Sequence, residues 1–121
     1  MWRVTVAVGI DLVEVEEIRR ALVSHGVRYL RRVYTGRERA AAAGRPHRLA
    51  AIFAAKEATL KALARPADAQ VVWRDIEIQP GAAHLRGRLA RANPAVVVTV
   101  SQRGDRRRAL AVALVTREAF R

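Results

Sequence analysis

The chain has 121 residues, 51% of them hydrophobic and 28% charged, which is the composition of one folded domain over 1–121 and excludes a disordered chain. It has no cysteine, so a disulfide framework and thiolate metal sites are excluded, and no run approaches the roughly 20 apolar residues of a membrane helix. The net charge of +12 points to an acidic partner, either nucleic acid, an anionic membrane or an acidic protein, although an Arg- and Ala-rich composition also fits a GC-rich genome.

Val4 to Ile10 is nearly continuous and β-branched, which predicts a buried strand with Asp11 at its end. The run is too short for the apolar part of a signal peptide, so a cytoplasmic location is expected. From Leu12 to about Val23 the apolar residues Leu12, Val15, Ile18 and Leu22 recur at three and four, which predicts a helix ended by Gly26. A second short helix is predicted over Val27 to Tyr34. Thr35 with Glu38 three residues later has the form of a capping box opening a helix through Ala43. Gly44 and Pro46 punctuate, and a long helix follows from about His47 to Ala64, stopped by Arg65-Pro66 before a loop at 66–70.

Val71 to Trp73 and Asp75 to Ile78 read as extended, Pro80-Gly81 as a turn, and His84 to Ala92 as a strand with partial alternation. Val96 to Val100 and Ala109 to Val115 are strands joined by a turn at Arg103-Gly104-Asp105-Arg106, a predicted hairpin over 95–116. Strand, helices, then an antiparallel set predicts an α+β fold, an antiparallel sheet packed against the long helix.

Leu49, Ile52, Phe53, Leu60 and Leu63 make the core face of the long helix. Glu57 and Lys61 lie together just off its edge, and Ala50, Ala54 and Ala58 on their side leave room for a ligand. Taken alone, this helix is explained better by an ordinary Glu-to-Lys surface pair. Asp11 adds a second carboxylate. Two carboxylates can hold a hard cation and a lysine can hold a phosphate, so the three together suggest magnesium-assisted phosphate-ester chemistry. Lys56 falls inside the apolar stripe, as a snorkelling lysine would.

Val8-Gly9-Ile10-Asp11-Leu12-Val13-Glu14-Val15 and Phe53-Ala54-Ala55-Lys56-Glu57-Ala58 with Lys61 resemble the two signature segments of the holo-acyl-carrier-protein synthases, the short-chain branch of the 4′-phosphopantetheinyl transferases. Asp75-Ile76-Glu77-Ile78 resembles that family's third segment. The resemblance implies the 4′-phosphopantetheinyl transferase fold and transfer of 4′-phosphopantetheine from coenzyme A to a serine of an apo acyl carrier protein, releasing 3′,5′-ADP. It implies Asp11 and Glu57 as ligands of Mg2+, Lys61 as a phosphate-binding group, and all three as catalytic. Glu57, or a water it positions, would help to deprotonate the serine. Lys56 gains a structural or site-supporting role.

The chain departs from the family where coenzyme A is gripped. Gly-Arg-Phe becomes Ala51-Ile52-Phe53, Gly-Lys-Pro is replaced near Gly81-Ala82-Ala83, and Ser-x-Ser-His becomes Thr99-Val100-Ser101-Gln102. Arg48 or Arg45 could replace the missing arginine, with Ser101 and Gln102 as further coenzyme A contacts. Arg19, Arg20, Arg28 and Arg32 are the expected contacts to the acidic carrier protein, behind an acidic start at Glu14, Glu16 and Glu17. A homotrimer with sites at subunit interfaces is implied, in fatty-acid or polyketide biosynthesis. The alternative is a weak or inactive relative that binds a carrier protein or serves as a structural subunit. A nucleic-acid-binding domain has only charge in its favour.

Overall fold

The structure, a computed structural model, describes residues 1–64 and 70–120. The predicted stop at Arg65-Pro66 and nearly all of the predicted loop after it lie outside the described residues. Five antiparallel strands form one sheet in the order β1-β5-β4-β3-β2: Trp2–Glu14, Arg108–Phe120, Val96–Gly104, Ala82–Leu85 and Ile76–Gln79. The helices are α1 (Val15–His25), α2 (Val27–Val33), α3 (Gly36–Ala42), α4 (Pro46–Ala62) and α5 (Gly87–Ala92). The α+β expectation holds.

The alternation of the strands decides what the sheet buries. Val13, Val98, Val100, Ala109, Ala111, Ala113 and Val115 face inward, against α4, and are buried. The inward residues of β5 are mostly alanine, which lets a helix lie close. Ala50, Ala54, Ala55 and Ala58 of α4 are fully buried. Ala50, Ala54 and Ala58 were expected to leave room for a ligand; they leave room for the sheet instead. Gly9 completes the approach, because a Cβ there would stand 1.8 Å from the Ala58 carbonyl oxygen. Only a residue without a side chain lets β1 cross α4 at that distance.

Four boundaries differ from expectation. Strand β1 does not end before Asp11; it runs through Glu14, because Asp11 to Glu14 pair with Ala111 to Arg108 of the long β5. Leu12 therefore belongs to the strand, and α1 begins at Val15. The predicted strand from His84 to Ala92 is a short strand followed by a helix. Gly87 breaks it at φ +59, and the Asn93 side chain donates from Nδ2 to the Leu89 carbonyl oxygen at 3.0 Å at the end of α5. Trp73–Asp75 is a 3-10 turn rather than extended chain, so β2 starts at Ile76. In the hairpin, the Asp105 carboxylate accepts from the Arg107 and Arg108 amides at 2.7 and 2.9 Å, which moves the turn to 105–107.

The capping box forms as expected: the Glu38 amide donates to Thr35 Oγ1 at 3.3 Å and the Thr35 amide to Glu38 Oε1 at 2.8 Å. It also serves the core. Lys56 does not snorkel. It is fully buried, with Nζ 2.8 Å from Glu38 Oε1, donating to the Trp73 carbonyl oxygen at 2.9 Å and to that of Ile76. Glu38 Oε2 accepts from the Ile78 amide at 2.8 Å. One buried ion pair thus ties α3, α4 and the start of β2 together. Burial pushes the Lys56 ammonium below its ordinary pKa, and the Glu38 carboxylate opposes that shift.

Candidate active site

Asp11 and Lys61 are 50 residues apart in sequence and meet where β1 crosses α4. Lys61 Nζ lies 2.7 Å from Asp11 Oδ1 and donates to the Ile10 carbonyl oxygen at 3.0 Å. The contact follows from Gly9: two residues before Asp11, β1 touches the helix backbone at Ala58, between Glu57 and Lys61. Asp11 shares the inward parity of Gly9, so its carboxylate points along α4, one turn beyond the close approach. Glu57 is half-buried and Lys61 is exposed, as expected at the edge of the apolar stripe.

The three charges are coupled. The hydrogen bond to Asp11 holds the Lys61 ammonium above its ordinary pKa; desolvation opposes it, and the negative charges of Asp11 and Glu57 add to the upward shift. Lys61 therefore stays cationic through the neutral range. In that form it can neutralise a phosphate. Asp11 and Glu57 could hold a cation. Among the described residues no group of three or more His, Cys, Asp or Glu is placed to hold a metal. A cation here would keep water or ligand oxygens in most positions, and two hard carboxylates of this kind suit Mg2+.

On the far side of α4 a cleft of about 720 Å³ opens between α3, α4 and the β2–β3 turn. Ser101 and Gln102 line it, as do Ile52 and Gly81. Gly81, at φ +73, makes the turn that forms one wall. Arg45 and Arg48 do not line it: both are exposed at the start of α4, and the Arg48 guanidinium reaches the Ala41 carbonyl oxygen at 3.5 Å. The cation that does line the cleft is Arg37, which sequence reasoning missed. The capping box was a usable signal for it, since a buried Glu38 forces the preceding side chain to another face.

Behind the cleft, Glu77 is a buried carboxylate. Arg86 Nη2 approaches it at 3.1 Å and Arg37 Nη1 at 4.0 Å, and Gln79 donates to it at 3.2 Å. Its pKa is held below the ordinary value, chiefly by the Thr35 hydroxyl, with Gln79, Arg86 and Arg37 adding and burial opposing. Arg19, Arg20, Arg28 and Arg32 are exposed on α1 and α2, with Arg19 3.8 Å from Glu16. They are not part of either site.

The family model for the 4′-phosphopantetheinyl transferase superfamily matches residues 7–114, which include Asp11, Glu57 and Lys61. The chain belongs to that superfamily. Within it, a holo-[acyl-carrier-protein] synthase from Methylobacterium radiotolerans is 45% identical over 76 residues, covering 60% of this chain. The match spans only 56% of that relative's length. The Mycobacterium tuberculosis acyl carrier protein synthase structure has a TM-score of 0.72 at 31% identity, covering 90% of this chain and 95% of that one. The complex of the Chronobacterium ammoniagenes synthase with coenzyme A has a TM-score of 0.76 at 27% identity, covering 92% and 96%. The superfamily fold inferred from the two signature segments is thus the fold observed.

Proposed function

We propose that the protein is a holo-[acyl-carrier-protein] synthase that moves 4′-phosphopantetheine from coenzyme A to a serine hydroxyl of an apo acyl carrier protein. The observation that carries this is the meeting of Asp11, Glu57 and Lys61 at one edge of α4 in a chain of this superfamily. The coenzyme A complex of a structural neighbour supports the choice of donor. In the transfer, the serine oxygen bonds to the phosphorus next to the pantetheine arm, the bond to 3′,5′-ADP breaks, and the serine proton leaves. Lys61, kept cationic by Asp11 and Glu57, binds a non-bridging phosphate oxygen and offsets charge developing there. Glu57 accepts the serine proton, directly or through a water it positions. Asp11 orients Lys61. Asp11 and Glu57 would hold Mg2+, which would supply further charge stabilisation at the phosphates.

The reading includes assembly. Val4, Val6, Val8, Ile10 and Leu12 of β1 are more than half exposed and continue into Leu110, Val112 and Leu114 of β5, forming one apolar sheet face. Further copies of this chain cover it, in a homotrimer. The exposed arginines of α1 and α2 are the contacts offered to the acidic carrier protein in the cytoplasm.

The test is incubation of the folded protein with coenzyme A, magnesium and several apo carrier proteins, read as the mass gain of phosphopantetheine. Glu57→Gln and Asp11→Asn are each expected to lower the rate at least about 100-fold while the fold persists. No gain on any carrier overturns the transferase reading, and a fully active Glu57→Gln overturns the assigned role of Glu57.

A further inference from the structure

The cleft beside Ile52 has apolar walls and one positive group. Ile52 and Ile78 offer a greasy surface, Ser101 and Gln102 offer hydrogen bonds, and Arg37 is the single cation among the described residues that line it. Glu38 also lines the cleft, but its two oxygens are committed to Lys56 and to the amides of Thr35 and Ile78. The cleft therefore suits a ligand with a flat apolar part and an anionic group, and the anion has one place to go.

Arg37 is held loosely. Its side chain is 71% exposed and stands 4.0 Å from Glu77, whereas Arg86 stands 3.1 Å from the same carboxylate. Burial of Glu77 makes loss of its partners costly, and beside the Thr35 hydroxyl and Gln79 the two guanidiniums supply the neutralising charge. Two guanidiniums share one buried carboxylate, and only the looser one lines the cleft. Arg37 can leave without exposing Glu77 to that cost, because Arg86 stays. Arg86 does not line the cleft, so it cannot replace Arg37 there.

We propose that Arg37 is the phosphate-binding residue of this cleft, gripping a phosphate of the bound nucleotide, and that Arg86 is a positioning residue that frees Arg37 by neutralising Glu77. The proposal rests on the transferase reading, which supplies coenzyme A as the ligand, and deepens it by assigning the anion contact to this chain's own arginine rather than to Arg45 or Arg48. A guanidinium fork suits a phosphate because two N–H donors meet two oxygens.

The experiment is calorimetric titration of the full chain with coenzyme A and with 3′,5′-ADP, using wild type, Arg37→Ala, Arg37→Lys, Arg86→Ala and the Arg37→Ala/Arg86→Ala double variant. Loss of one charge-assisted phosphate contact is expected to raise Kd about 10- to 100-fold in Arg37→Ala. Arg37→Lys, which keeps the charge and loses the fork, is expected to fall between. Arg86→Ala leaves Arg37 as the remaining guanidinium on Glu77 and is expected to weaken binding as well, but to add nothing once Arg37 is absent. That non-additivity is what a purely structural role of Arg86 would not produce. Equal affinities of wild type and Arg37→Ala overturn the assignment of Arg37. Fully additive effects overturn the coupling through Glu77. Binding of neither ligand by wild type overturns the coenzyme A reading and this inference with it, whereas the Arg37→Ala result with a wild type that binds bears on the inference alone.

Discussion

Replacing Lys56 by methionine removes one ammonium and keeps most of the apolar stem, so the cost can be worked from the groups left behind. Nζ donates to Glu38 Oε1 and to the carbonyl oxygens of Trp73 and Ile76. In Lys56→Met both carbonyls lose a charged donor, and the Glu38 carboxylate keeps only the amides of Thr35 and Ile78. An uncompensated buried charge of this kind costs about 3–5 kcal/mol. The Trp73 carbonyl keeps the Ile76 amide, so the Ile76 carbonyl is the one left without its donor, which adds about 1 kcal/mol or more where water cannot reach it. Relaxation and water entry reduce the sum, and a net loss of about 4 kcal/mol is expected, a large share of the about 5–15 kcal/mol that stabilises a domain of this size. Urea unfolding followed by far-UV circular dichroism, at one fixed protein concentration because the chain is proposed to assemble, measures it. Adding Glu38→Gln removes the orphaned charge. The double variant is therefore expected to be more stable than Lys56→Met alone, a reversal that simple loss of packing cannot produce. A Lys56→Met loss below about 1 kcal/mol, or a double variant at the sum of the two single losses, would refute the view that this ion pair is a single electrostatic unit.

Two further outcomes are expected. The pKa of Glu77 is depressed in the folded state from an ordinary 4.5, so its stabilising contribution is present above that value and is lost as pH falls through the lower folded value. The stability difference between wild type and Glu77→Gln should therefore shrink on acidification below about pH 4.5, and a difference constant from pH 7 to 3 contradicts the assignment. Val6→Asp places a charge in the middle of the apolar β1 face, well before Asp11. Sedimentation should show a lower oligomeric state than wild type at equal concentration, and an unchanged sedimentation coefficient rules out that face as the contact between subunits.

What could be read in advance depended on how far apart the deciding atoms lie. The capping box of Thr35 and Glu38 spans four residues, and its chemistry is local, so the sequence pattern and the geometry agree. Lys56 looked like a snorkelling side chain because an apolar stripe says nothing about a carboxylate 18 positions earlier or carbonyls beyond residue 70. The end of β1 was misjudged for a related reason. Leu12, Val15 and Ile18 fit helical spacing, and only the ladder with Leu110 and Ala109 makes Leu12 and Val13 strand residues. His84 to Ala92 failed because the alternation of Leu85, Gly87 and Leu89 is the same in a strand as in a strand broken by a left-handed glycine.

Gly9 joins the two kinds of information. In the sequence it is one glycine inside a β-branched run, where it weakens a strand. In the fold it is the point at which β1 lies against the backbone of α4 at Ala58. That contact carries Asp11 to Lys61 across 50 residues of chain. The signature words around Asp11 and Glu57 were legible as words, and their separation was not. The glycine supplies the distance between them, so the site depends on a residue with no functional group. The cleft behaves differently. Arg37 reaches it through a cap whose purpose is to start a seven-residue helix and bury Glu38. A substitution that weakened the Thr35–Glu38 cap would therefore disturb the ligand cleft before it disturbed Asp11 and Lys61, which are held by the sheet.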